Sequence, residues 1–136
     1  VLEPLSGYLA LGVGLFTAEG IDGEAFNFGP RAEQNRTVIE LILSMKDFWG
    51  SALDFTPYLV TEEIPFKESG LLKLNCDKAL FGLGWDATLE FEETVKLTAE
   101  WYSNYFLGNI NLLDFTSKQI QEYESLAEER MKSWTK

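Results

Sequence analysis

The sequence predicts an α/β chain of α+β-like character, mostly helical with a few short strands, folded as a single domain over residues 1–136. Three observations lead there. Long runs repeat their apolar side chains at three- and four-residue spacing, the period of a helix face. Shorter runs alternate, carry aromatic residues and stop at Gly or Pro, the pattern of strands. A chain of 136 residues, 46% hydrophobic and 14% aromatic, also has enough apolar side chain for one core.

From Glu3 to about Thr17 the apolar residues Leu5, Tyr8, Leu9, Leu11, Val13, Leu15 and Phe16 cover most of a helix circumference, which predicts burial on more than one side. Residues Glu19 to Gly23 read as a turn, and Glu24 to Phe28 as a short strand ending at Gly29-Pro30. Thr37 with Glu40 three positions on is a capping pair for a helix through Val38, Leu41, Ile42, Met45 and Trp49, stopped by Gly50. Leu53 to Val60 suits an edge strand because Pro57 cannot donate to a ladder, and the charged stretch Thr61 to Gly70 reads as an exposed loop. Asn75 caps a brief helix through Leu80 before the Gly82-Leu83-Gly84-Trp85 turn. A long helix is expected from Thr88, with Phe91, Val95, Thr98, Tyr102 and Tyr105 on one face. A last helix is expected from a capping pair at Thr116 and Gln119, striped by Ile120, Tyr123, Ala127, Met131 and Trp134.

Charge and composition exclude more than any motif includes. Eleven Lys and Arg against 22 Asp and Glu leave a net charge of -11, which repels nucleic-acid phosphates and anionic headgroups. No His is present, so the commonest general base and metal ligand is missing, and one Cys cannot build a thiolate site. The single thiol also rules out an intrachain disulfide, so a reducing compartment, the cytoplasm, is expected. No apolar run has the length of a membrane span, no signal-peptide pattern appears, and Asn35-Arg36-Thr37 reads as a chance glycosylation match. The opening at Val1, inside an apolar segment already under way, leads us to expect an upstream part.

Few residues propose chemistry of their own. Gly12-Val13-Gly14 lacks the preceding strand and the third glycine of a dinucleotide loop, and Thr17 stands where that glycine belongs. Glu62, Glu63 and Glu68 share one loop without ligand spacing for a hard cation, so a solvated acidic loop is the reading. Cys76 reads as a structural thiol at a short helix start rather than a reactive one. Trp49, Trp101, Tyr102, Tyr105 and Trp134 recur at helical spacing and read as core or interface.

Several segments then match a known pattern in order. They are Val1 to Leu9 (VLEPLSGYL), Glu24 to Pro30 (EAFNFGP), Leu72 to Ala79 (LKLNCDKA), Leu83-Gly84-Trp85, Trp101-Tyr102 and Phe115 to Tyr123. Together they resemble the C-terminal third of the CDP-glucose 4,6-dehydratase family, a nucleotide-sugar branch of the extended short-chain dehydrogenases. The resemblance implies a substrate-domain region that closes over a nucleotide sugar, beside a Rossmann domain holding NAD. It also implies chemistry by internal oxidation of the sugar, loss of water and return of the hydride. The family's glycine-rich loop lies outside this stretch. Its Tyr-x-x-x-Lys pair is absent, since none of Tyr8, Tyr58, Tyr102, Tyr105 or Tyr123 has Lys four residues later. No catalytic residue, metal or cofactor is therefore assigned to this chain alone, and NAD belongs to the full-length family.

Before the LKLNC segment the family resembles His-Glu-x-His-Tyr, where this sequence reads Lys67-Glu68-Ser69-Gly70-Leu71. The resemblance makes Glu68 the retained substrate-binding residue and Lys67 the cation that meets a diphosphate. It also implies that the first helix and the Ala25–Phe28 strand pack on the Rossmann layer. Alone, those faces predict a homo-oligomer. Two readings follow: a C-terminal fragment of a dehydratase that is not catalytically competent by itself, or a free-standing binding or assembly protein descended from that domain. An unrelated cation-dependent enzyme using the acidic loop is disfavoured by the ligand spacing.

Overall fold

The computed structural model describes residues 1–17, 20–31, 33–34, 36–49, 73–108 and 110–135. Five α-helices follow in order: α1 (Leu2–Thr17), α2 (Val38–Phe48), α3 (Asp77–Leu83), α4 (Phe91–Leu107) and α5 (Leu112–Glu129), with a 3₁₀ turn at Ser133–Thr135. Among the described residues there is no strand and no sheet, which corrects the expected α/β class to an all-helical one. The expected strand at Leu53–Val60 lies outside the described residues.

The alternation at Ala25–Phe28 comes from core packing rather than pairing. Phe26 and Phe28 point the same way, as residues two apart do in an extended segment. Phe28 meets Trp85 edge to face at 5.0 Å and Tyr8 at 5.7 Å, while Phe26 lies against Gly82. Asn27 between them donates its side-chain amide to the Asn75 carbonyl at 3.2 Å. With no neighbouring ladder to join, the backbone stays irregular and the two rings anchor it.

Helix starts are set by side chains that reach back to the backbone. At α2 the capping box is as expected: Thr37 Oγ1 accepts from the Glu40 N–H at 3.2 Å and the Glu40 carboxylate accepts from the Thr37 N–H at 2.7 Å. Asn75 Oδ1 accepts from the Asp77 N–H at 2.9 Å, and α3 runs on to Leu83, where Gly84 at φ 65° supplies the left-handed stop. α4 begins at Phe91 instead of Thr88, with the Glu93 carboxylate taking the Glu90 N–H at 2.8 Å. α5 begins at Leu112, capped by Asn111, whose Oδ1 accepts from the Leu113 N–H at 3.0 Å. Thr116 and Gln119 are interior to α5 and join it to α4: Thr116 Oγ1 accepts from Trp101 Nε1 at 2.9 Å, and Gln119 Nε2 donates to the Leu97 carbonyl at 2.8 Å.

Two buried clusters share one ring. Ala79, Trp85 and Ala87 pack with Ala10, Phe26, Phe28 and Leu83, and Leu89, Leu97 and Tyr123 pack with Leu2 and Leu126; Trp134 touches both sets. α1 contributes to this core in an unusual way. Its inward side carries Ser6, Gly7, Ala10 and Gly14, while Leu5, Tyr8, Leu9, Val13, Leu15 and Phe16 are exposed. The inward glycines are required by contact, because a Cβ on Gly7 would lie 2.3 Å from the Phe28 ring and one on Gly14 would lie 2.8 Å from Leu83. α1 therefore seats its smallest side chains on its own body and turns the largest outward, the reverse of an ordinary surface helix.

Candidate functional site

Glu3 is the only charged residue of α1, and it points inward. Its carboxylate accepts from the Thr88 N–H at 2.9 and 3.0 Å, from the Leu89 N–H at 2.5 Å and from the Tyr123 hydroxyl at 3.2 Å. One turn later Ser6 Oγ accepts from Trp85 Nε1 at 3.0 Å and from Tyr123 at 2.8 Å, and donates to the Glu3 carbonyl at 2.8 Å. These bonds explain why α4 starts late: the backbone donors of residues 88 and 89 are engaged by a carboxylate from the far end of the chain. Burial pushes the Tyr123 phenol up to about 12, and the neighbouring Glu3 charge acts in the same direction. A phenol held neutral in this way anchors helices and is badly placed in pKa for proton transfer near neutrality.

The basic side chains nearby are also committed. Asp86 accepts from Arg31 at 2.7 Å and from Lys132 at 2.8 Å, and the buried Lys132 ammonium donates as well to the Ala87 carbonyl at 2.6 Å. Partial burial raises the Asp86 carboxyl, but the bonds from Lys132 and Arg31 outweigh it and hold the group below its ordinary value. Arg130 grips Glu93 with two nitrogens, at 2.6 and 2.8 Å, and also donates to the Thr88 carbonyl. That hydrogen-bonded pair lowers the Glu93 carboxyl despite some desolvation. Each of these cations is thus paired with a carboxylate, Arg31 and Lys132 sharing Asp86, which suits cross-bracing of the fold better than diphosphate capture.

Two grooves flank α1. One, of about 640 Å³, lies between α1, the end of α3, α5 and the 3₁₀ turn, and Leu9, Val13, Leu83, Ile120 and Trp134 line it. The other, of about 430 Å³, lies towards α4, with Leu2, Leu5, Leu97, Trp101, Tyr102 and Ile120 in its walls. Both are predominantly apolar, and the polar groups Trp101, Thr116 and Gln119 in the second already bond one another or the backbone. Beyond it the rings of Tyr102 and Phe106 stack at 6.5 Å and Trp49 tilts onto Phe106 at 6.1 Å. Such surfaces favour helix or ring burial over recognition of a charged small molecule.

The residues singled out by sequence divide accordingly. Lys67 and Glu68, with Glu62 and Glu63, lie outside the described residues. Gly12-Val13-Gly14 is interior to α1, with Gly14 pressed on Leu83, so that segment offers no cradle for a dinucleotide phosphate. Among the described residues no group of three carboxylate, imidazole or thiol side chains is placed to hold a metal ion. Cys76 is half-buried at the head of α3, its Sγ 3.9 Å from the Gly29 carbonyl. Trp101 stacks on Tyr105 at 5.5 Å and Trp134 on Tyr123 at 5.7 Å, in keeping with a packing role. The node of Glu3, Ser6, Trp85 and Tyr123 was not anticipated. Its one sequence signal is an acidic residue alone in the first turn of an otherwise uncharged apolar helix.

No helix among the described residues is long and apolar enough to cross a membrane. No family model matches the chain. The chain is 34% identical over 125 residues, 92% of its length, to a CDP-glucose 4,6-dehydratase of Salmonella typhimurium. The match falls on the C-terminal part of that protein, and the chain spans about a third of that relative's length (34%). The resemblance read from the short segments is thereby borne out across nearly the whole chain.

Proposed function

Taking similarity to the C-terminal part of a CDP-glucose 4,6-dehydratase as the premise, we propose that this chain is the C-terminal portion of such an enzyme. In this reading it supplies nucleotide-sugar contacts and is not catalytically competent alone. The observation that carries the reading is identity spread over 92% of the chain but only 34% of the relative. Three features support the second half. The sequence has no Tyr-x-x-x-Lys pair, Gly12-Val13-Gly14 is interior to a helix, and the buried phenol is raised out of the working range. Lys67 and Glu68 are the proposed contacts to the sugar nucleotide, NAD is the cofactor of the full-length enzyme, and the cytoplasm is its compartment.

The test is direct. Purified chain incubated with CDP-glucose and NAD is expected to give no dehydrated keto-sugar and to retain no dinucleotide through gel filtration. Calorimetry is expected to show weak, saturable CDP-glucose binding that Lys67→Ala weakens further. Unaided turnover, or co-elution of NAD, refutes the fragment reading, and complete absence of CDP-glucose binding refutes the proposed contacts.

A further inference from the structure

Residues 84–90 join α3 to α4 without entering a helix or a ladder, so their backbone groups depend on side chains from elsewhere. From one side Glu3 takes the N–H groups of Thr88 and Leu89, and Gln34 Nε2 donates to the Leu89 carbonyl at 3.3 Å. From the other side the residues that close and follow α5 take the carbonyls. Arg130 donates to Thr88, Lys132 Nζ to Ala87 at 2.6 Å and Ser133 Oγ to Gly84 at 2.5 Å, so the two segments are matched in opposite order. Lys132 also meets Asp86 at 2.8 Å, and Trp134 closes the run by stacking on Tyr123 at 5.7 Å.

Two features place this strap under load. Met131, between the cap of α5 and the strap, has φ 53°, the left-handed region that a Cβ disfavours, and it is the one non-glycine residue with positive φ among the described residues. Trp134 Nε1 is buried without an acceptor. Release relieves both, because Met131 turns to ordinary dihedrals and the indole N–H reaches water. The helix behind the hinge keeps its closure, since Arg130 retains its two bonds to Glu93 and the Met131 N–H its bond to Glu128. Beyond the hinge, three side-chain bonds hold the strap to residues 84–87. Strain confined to a hinge, with few bonds past it, is the condition for a part to open ahead of the whole.

We propose that residues 132–134 form a strap hinged at Met131, which undocks while the helices stay folded and bares the Gly84 and Ala87 carbonyls and one face of the Tyr123 ring. Hydrogen exchange of the indole N–H groups, followed by NMR on the 136-residue chain, separates this opening from unfolding. Trp85 Nε1, buried and bonded to Ser6, reports the body, and Trp134 Nε1 reports the strap. The Trp134 proton is expected to exchange roughly tenfold faster than that of Trp85, or more, at a rate that urea below the unfolding transition leaves unchanged. Met131→Gly, which removes the strain, is expected to slow it about fivefold. Ser133→Ala, which removes the bond to Gly84, is expected to quicken it about as much. Equal rates for the two indoles, a Trp134 rate that rises with urea in step with that of Trp85, or one indifferent to either variant overturns the proposal.

Discussion

Tyr123 has one hydroxyl hydrogen and two acceptors for it, Ser6 at 2.8 Å and Glu3 at 3.2 Å. Unfolding exposes the phenol, whose pKa then returns to roughly 10. Between that value and the folded value of about 12 the native state binds the extra proton. Stability is therefore whole below the window and declines as pH rises through it. Alkaline absorbance titration is expected to resolve one late phenol near 12, missing in Tyr123→Phe. That variant should also lose about 1–2 kcal/mol at neutral pH in denaturant unfolding. A variant that keeps the late transition assigns it to another tyrosine. Tyr123 was legible as a core residue from its place in the α5 stripe. Its partners were not, because a bond between residues 3 and 123 leaves no local pattern, whereas the Thr37–Glu40 cap spans three residues and was read correctly.

At the scale of elements, the end of α5 is closed by a residue ill suited to it. The Met131 N–H bonds the Glu128 carbonyl and the Lys132 N–H bonds the Ala127 carbonyl, the paired closure of a helix terminus. Met131 itself sits at φ 53° and is largely exposed. Since glycine adopts that conformation without the Cβ penalty, Met131→Gly is expected to raise stability by about 1 kcal/mol and the melting temperature by roughly 4 °C. A melting temperature that falls would mean that the Met131 side chain makes a contact worth more than the strain. Helix existence was legible throughout, because the 3.6-residue period is local. Helix starts at α4 and α5 were not: Thr88 is held by Glu3 and Arg130, and Thr116 and Gln119 join two helices, uses that look identical to caps in one dimension. The Ala25–Phe28 alternation was misread for the same reason, since two rings on one side of an irregular segment have the period of a strand.

For the molecule as a whole, the near-continuous apolar circumference of α1 was the most informative signal. It announced two neighbours, and the structure supplies one of them on the small-residue side. The family resemblance was legible from short segments spread along the chain; the substrate contacts it implies lie at residues 67 and 68, outside those described.

The bond between Glu3 and Tyr123 joins residues 120 positions apart. On the ribosome, the Glu3 carboxylate can therefore engage the amides of residues 88 and 89 before its phenol partner has been made. α5 then acts as a latch, and the node closes only once that helix has emerged.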